Sequence, residues 1–449
     1  MIFTKDKSFY KNLFLLALPI ALQNLVTFSV NLADGVMVGA LGDAAVSGMY
    51  MGNQVQTLLQ VFNAGVEGSI LILAAQYWGK RDTASIRKIV AIGMRFSVAV
   101  GLLLTLVCAL IPRQVISLFA PDEGIVGTGS EYLGIVCFSY VFFCITQSFI
   151  AGLRSVEVAR IGLYVSLCSL FTNIFLNYCL IYGKLGFPEY GVAGAAIATL
   201  IARVVETTII TLYVFLYDKR LGFRPRDLLS SDRLLLGDLI RYGLPILAGQ
   251  LVWAVNTMVS SAIMGRQSEE SSVAAMSIAQ TINSLAYVCM NGMSGAVGII
   301  TGKTIGAGRE DKMREYSKTV QIIFLLLGIF TGLMLYLLRD SFISLYDVSD
   351  AAVAEAVKYI NVIAVTMVGT CYQVSVLFGL VKSGGDISFV FKNDSFFAFV
   401  VVLPSAIIAT LLHAPAWVVF SCLKCDQILK CFVAIVKVNS YNWMKNLTR

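Results

Sequence analysis

The sequence predicts an all-α membrane protein whose twelve transmembrane helices form two six-helix lobes related by a parallel repeat. Three observations lead there. Of 449 residues, 57% are hydrophobic and only 14% charged, with a mean hydropathy of +0.79, a balance that would leave a water-soluble fold with more apolar surface than its core could hold. The apolar residues fall in stretches of roughly 20, such as Ile322 to Leu338 and Phe396 to Leu412, long enough to cross a hydrocarbon layer of about 30 Å. Finally, Leu16-Ala-Leu-Pro19-Ile-Ala-Leu-Gln-Asn returns as Tyr242-Gly-Leu-Pro245-Ile-Leu-Ala-Gly-Gln.

The first predicted span, 13–38, runs through Pro19 without the short apolar region and small-residue cleavage site of a signal peptide, and reads as a retained helix. Five more follow at 46–75, 89–112, 130–152, 161–182 and 191–216. The second set covers 242–265, 272–302, 319–338, 355–381, 396–412 and 416–438. Loops on the side of both termini carry Lys80, Arg81, Arg87 and Lys88, then Lys219, Arg220, Arg224, Arg226 and Arg233, then Arg309, Lys312, Arg314 and Lys318. The opposite side holds only Arg113, Lys184, Arg266 and Arg339. Excess Lys and Arg marks the cytoplasmic face, which places both termini in the cytoplasm.

Beyond the paired prolines, Gly39 matches Gly265 and Gly79-Lys-Arg-Asp82 matches Gly308-Arg-Glu-Asp311, at an offset of about 226 to 229 residues. Each half holds an even number of helices, so the copies enter from the same side and their axis lies along the membrane normal. The expected division is an N-lobe over 1–217, a basic cytoplasmic linker over 218–241 and a C-lobe with tail over 242–449. Repeats of this kind place a substrate site at the midplane, in a cavity between lobes that rock.

The net charge of +7 is spread over short loops, so it reports orientation and attraction to anionic lipid rather than a nucleic-acid groove. The ten cysteines fall mostly inside predicted helices, where a thiol behaves as a small apolar group, and no disulfide framework is expected. Cys422 and Cys425 have the CxxC spacing, but no further Cys pair or His completes a zinc site. Gly302-Lys303-Thr304 lacks the earlier glycine of a phosphate loop, since Val297 stands there.

A charge at the centre of a membrane helix costs at least ~2.5 kcal/mol, which makes embedded ionisable residues the first functional candidates. Asp34 leads, deep in the first span in Asn31-Leu-Ala-Asp34-Gly, with Asn31 one turn earlier. Its carboxylate can hold a proton or, with neighbouring oxygens, a sodium ion; a structural hydrogen bond to a neighbouring helix is the plainer role. Asn173 and Asn177, four apart, share one helix face. Gly191-Val-Ala-Gly-Ala-Ala-Ile-Ala-Thr199 reads as a close-packing helix ending in a hydroxyl. Glu67 and the pair Arg203 and Glu206 either line a cavity or form structural ion pairs. Asp426 and Lys430, four apart, can neutralise one another, while Lys424 either faces a cavity or reaches the cytoplasmic interface. Trp253, Tyr287, Met258, Met290 and Met293 could line an adaptable pocket, although helix packing explains each of them singly.

Across nearly the whole chain the sequence resembles the bacterial multidrug and toxic compound extrusion (MATE) transporters. The resemblance rests on Leu18-Pro19, Asn31-Leu-Ala-Asp34, Gly39, Ala75-Gln-Tyr-Trp-Gly79-Lys, Asn173 to Asn177, Gly191-Val-Ala-Gly-Ala-Ala, Leu244-Pro245, Gly306-Ala-Gly308 and Ser383-Gly-Gly-Asp386. It implies a secondary antiporter of the bacterial inner membrane that exports organic, often cationic or amphipathic compounds by alternating access in exchange for H+ or Na+. It also implies that Asp34, Asn173, Asn177 and Thr199 form the cation-coupling site. Two positions depart from the family pattern. Asn177 stands where some members carry an acid, and Leu-Pro245-Ile-Leu-Ala-Gly-Gln250-Leu-Val-Trp253 lacks the glutamate that many relatives carry after this Leu-Pro pair. Asn31, Glu67, Gln250, Trp253 and Lys424 are the substrate-cavity candidates. No cofactor, nucleic acid or obligatory protein partner is expected, and no metal beyond a sodium ion at the coupling site; small-molecule substrate and membrane lipids are the expected partners. A lipid-linked oligosaccharide flippase would need a basic cavity for pyrophosphate, which the Asp34 region does not offer. An enzyme would need more than the lone His413. A membrane sensor or scaffold is the reading outside transport.

Overall fold

The computed structural model describes residues 3–119, 122–267, 270–344 and 349–448, apart from the side chains of 266–274 and 351; the Arg266 side chain, assigned above to the extracytoplasmic face, lies outside them. The described residues are helical with no strand. The spanning elements in chain order are α1 (Lys7–Gly39), α2 (Asp43–Lys80), α3 (Thr83–Leu110), α4 (Glu123–Val136 and Ser139–Ser155), α5 (Arg160–Ile181) and α6 (Gly191–Leu212). The second half gives α7 (Arg233–Gln267), α8 (Glu270–Gly306), α9 (Glu310–Ile343), α10 (Asp350–Val374, continuing through Lys382), α11 (Ile387–Leu411) and α12 (Ala416–Lys424 and Asp426–Asn439). Ten described helices are singly long and apolar enough to cross a membrane, and the two pieces of α4, bent by 51°, are so when taken together. α12 is broken at Cys425 into two pieces that complete the pattern. Leu103, Leu106 and Leu110 on α3, and in the other packing unit Phe330, Leu333 and Leu337 on α9, are each more than half exposed, as apolar faces turned to lipid are.

The chain packs as two compact units, one of residues 22–247 and the other of 1–21 with 248–449. α1 and α7 each contribute to both. The crossing points, Leu22 and Ala248, stand at the same repeat offset as Pro19 and Pro245, and both prolines lie inside their helices. Proline removes one backbone hydrogen bond and crowds the preceding turn, so each helix is weakest just before it changes unit. The repeat shows again where α2 and α8 end. Arg81 (φ 66) and Gly308 (φ 70) are both left-handed. Their amides bond to Trp78 and Ile305, and the next amides, Asp82 and Arg309, reach back to Tyr77 and Thr304. This is one helix stop built twice.

In the unit of residues 22–247, Val38, Leu59, Tyr132, Leu133, Tyr140 and Ile181 are among the residues of a buried core. α7 begins at Arg233, so the basic segment between the halves is helical from there. Its earlier part is pinned to α3, where Arg87 meets Asp227 at 3.4 Å and Lys88 meets Asp232 at 3.2 Å. In the other unit, Tyr359, Ile360, Ala406 and Phe420 are among the core residues. α1 starts against α9 there: the Thr4 amide donates to Thr319 Oγ1 at 2.8 Å and Tyr316 donates to Asp6 at 2.6 Å. The Ser8 and Tyr316 hydroxyls, with Lys312 beyond them, hold the Asp6 carboxyl down at about 2. The C-terminal tail is docked as well. Trp443 is fully buried against Gly384, the Lys445 amide donates to the Gly384 carbonyl, and Asp386 joins Lys437 at 2.7 Å and Lys445 at 2.8 Å. Burial favours the neutral acid at Asp386, but the two ammoniums outweigh it and keep its carboxyl below the ordinary value.

Candidate functional site

Asp34 sits near the C-terminal end of α1, within the unit of residues 22–247. The Tyr182 hydroxyl donates to the Met37 carbonyl at 2.8 Å and so holds this end of α1 against the end of α5. α5 in turn lies tight on α6. A Cβ on Gly194 would fall 2.5 Å from the Leu180 carbonyl oxygen, so only glycine permits the approach. With the three helices set this way, the side chains form one chain of hydrogen bonds. Asn177 Nδ2 donates to Asp34 Oδ1 at 2.6 Å and to Asn173 Oδ1 at 3.2 Å, and Asn173 Nδ2 reaches Thr199 Oγ1 at 3.5 Å. Asn173 and Asn177 are fully buried, and Asp34 and Thr199 half-buried. The Asn177 Oδ1 atom is buried with no hydrogen-bond partner. In a low-dielectric setting an unpaired acceptor beside a carboxylate marks a place for a donor or a cation.

The structure thus brings Asp34, Asn173, Asn177 and Thr199 together, and adds two residues that the sequence did not single out. Tyr132 of α4 is buried beside Thr199 and Asp34, and its hydroxyl meets Asn53 Oδ1 of α2 at 3.2 Å. Arg203 and Glu206 form an ion pair at 2.7 Å, with Glu206 buried and the Arg203 guanidinium over the Phe143 ring. Asn31 is exposed, one turn from Asp34. Glu67 on α2 lies in the electrostatic reach of Arg154, which donates to Gln23 Oε1 at 2.6 Å. Gln250 and Trp253 belong to the other unit, Gln250 half-buried and Trp253 63% exposed. Lys424 stands at the break in the middle of α12, above the Phe420 ring.

A second charged cluster lies within the unit that contains α8–α12. Lys430 does not serve Asp426 alone. Its ammonium is 3.0 Å from Asp426 and 2.9 Å from Asp394 of α11, and Lys430 and Asp426 are both buried. Gln427 donates to Asp426 and accepts from Gln373 of α10. Lys382, at the end of α10, lies over the Phe378 ring and faces Asp394. Asp394 escaped the sequence reading because the span was placed at 396–412, whereas the helix begins at Ile387. The apolar residues Ile387, Phe389, Val390 and Phe391 were the signal that could have moved the boundary.

A two-unit helical membrane protein with a half-buried carboxylate inside a first-half span, held by the amide of a neighbouring helix, has the make-up of a transporter. The family comparison names the class: the chain belongs to the MatE family, whose pattern matches residues 19–179 and 245–408, once in each half. Among its relatives, the probable multidrug resistance protein NorM of Thermotoga maritima is 28% identical over 356 residues, covering 78% of this chain and 74% of that one. The NorM protein of Photorhabdus laumondii is 28% identical over 417 residues, covering 89% and 88%. A solved MOP superfamily transporter from Pyrococcus furiosus shares the fold with a TM-score of 0.87 over 98% of both chains at 20% identity.

Proposed function

We propose that this protein is a secondary antiporter that exports organic cationic or amphipathic compounds by alternating access, driven by protons taken up at Asp34. The observation that carries it is the 2.6 Å contact between Asp34 and Asn177 beside an unpartnered Asn177 Oδ1. While Asp34 is charged, the Asn177 amide donates to it. Once Asp34 is protonated the carboxyl becomes a donor, and a half-turn of the amide presents Oδ1 to receive it. The same two side chains thus fit both protonation states. Sodium is the weaker fit, because the site has one carboxylate.

Coupling follows from differential affinity. A cationic substrate is favoured by charged Asp34 and disfavoured by the protonated form, so each displaces the other. The multidrug resistance names of the NorM relatives support the substrate class, and their bacterial sources support an inner-membrane location. The excess of basic residues on one side supports cytoplasmic termini. The test is uptake of a fluorescent organic cation into proteoliposomes under a proton or a sodium gradient imposed separately. Flux driven by the proton gradient alone is expected; flux driven by sodium alone would overturn the choice of ion, and none under either would overturn the antiporter reading.

A further inference from the structure

Five ionisable side chains run through α10, α11 and α12 in alternating sign: Lys382, Asp394, Lys430, Asp426 and Lys424. Lys430 bridges the two carboxylates at 2.9 and 3.0 Å, and Gln427 satisfies Asp426 further. The cluster holds three cationic groups against two anionic ones, so with every group charged it carries one net positive charge among membrane helices. A fixed unbalanced charge there is costly; the cluster is balanced when one lysine is neutral. Lys382 is the candidate. Its ammonium has no hydrogen bond or ion pair among the described residues, as is also true of Lys424 over the Phe420 ring, but of the two only Lys382 ends a π-helical segment that packs on the start of α11, the helix of Asp394, and lies in the field of that carboxylate.

The backbone around Lys382 is the second observation. α10 ends in a π-helical segment, Ser375–Lys382, and α11 passes through another, Phe397–Val402, which starts three residues after Asp394. Such wide turns are rare and are found frequently at functional positions. α12 is broken beside Asp426, at Cys425. α10 is therefore irregular at Lys382, α12 at Lys424 and Asp426, and α11 three residues beyond Asp394.

We propose that Lys382 is a second proton-carrying residue and that, when charged, it draws Asp394 away from Lys430. The tie then passes from the α11–α12 pair to the α10–α11 pair. Lys430 keeps Asp426, so neither state leaves a buried carboxylate alone. The other ionisable groups around the exchange are Tyr287 of α8 and Cys425 of α12, both near Asp426, Cys431 of α12, which donates to the Gly369 and Gln427 carbonyls, and Lys424. Lys392 of α11 is exposed, and Asp386 is committed to Lys437 and Lys445. Of these, only the place of the exchange in a transport cycle rests on the proton-antiport reading.

The test is backbone hydrogen exchange of residues 387–402 in nanodiscs across a pH series, corrected for the intrinsic pH dependence of exchange. The wild type is expected to exchange several-fold faster in this segment on the acid side of a single step. Lys382→Arg, charged throughout, is expected to exchange fast at every pH; Lys382→Met slowly at every pH; Asp394→Asn without a step. Asp34→Asn should keep the step, which separates this inference from the role of Asp34. A wild type without a step, or a step that survives in Lys382→Met and Asp394→Asn, would overturn it. So would a step that appears only when a carboxylate compound is added, which would make the cluster an anion site.

Discussion

Asn177 donates to Asp34 across 2.6 Å while its own carbonyl oxygen is left without a donor. The pair joins α5 to α1 through one charge, and a hydrogen bond to a charged group contributes about 1.5 to 3 kcal/mol. Asn177→Leu removes it and leaves a carboxylate with only solvent and Asn173 to stabilise it. Proton-driven transport is expected to fall about ten- to a hundredfold by the same energy, with protein yield in the membrane little changed. Initial-rate transport against immunoblotted protein checks both.

Asn177→Asp places a second carboxylate against Asp34. Two acids at this distance share a proton or a cation, so the variant is expected to acquire sodium-dependent transport or sodium binding absent from the wild type. Isothermal calorimetry with sodium chloride, with the wild type as control, reads this directly.

Gly194→Leu tests whether helix approach sets the site. Its Cβ would meet the Leu180 carbonyl at 2.5 Å, α5 and α6 would separate, and the Asn173 to Thr199 contact at 3.5 Å would be lost. Overpacking costs about 1 to 3 kcal/mol. A lower melting temperature with loss of transport is expected, whereas Gly127→Ala, with nothing within 4 Å of its Cβ position, should change neither.

Pro19 and Pro245 each precede the point where a helix passes from one packing unit to the other. Pro19→Ala or Pro245→Ala restores the missing backbone bond and stiffens the passage. Each is expected to slow turnover while substrate affinity stays within about threefold, which single-turnover and equilibrium binding measurements distinguish.

The tail gives a pH prediction of defined sign. Asp386 has its carboxyl lowered on folding, net of burial, by Lys437 and Lys445. Its contribution to docking is therefore complete above the ordinary aspartate value and is lost as pH falls through the lowered one. Trp443 should stay shielded from an aqueous quencher at neutral and mildly acid pH and become accessible only below about pH 4. Asp386→Asn should expose it at neutral pH.

Much of this was legible in the sequence because a bilayer imposes a simple code. Stretch length and the return of Leu-Pro at Pro19 and Pro245 pointed to the fold, and the cost of burying charge singled out Asp34 as a candidate. Asn173 and Asn177 were legible as a face because helical spacing fixes it. Asp394 and Lys382 were hidden at span ends, where polar residues and π-helical turns blur the hydrophobic boundary. The division of α1 and α7 between packing units is a tertiary choice that no local pattern records. Tyr132 joined the site only through the packing of α4, since a lone tyrosine in an apolar span gives no signal of its partner.

Proton-driven accumulation of a fluorescent organic cation in proteoliposomes carrying Asp34→Asn tests the central claim most directly. Uptake at the level of empty vesicles, with wild-type protein active and the variant folded in the membrane, is the predicted result. Accumulation by Asp34→Asn at the wild-type rate would contradict it and remove Asp34 from the coupling of protons to transport.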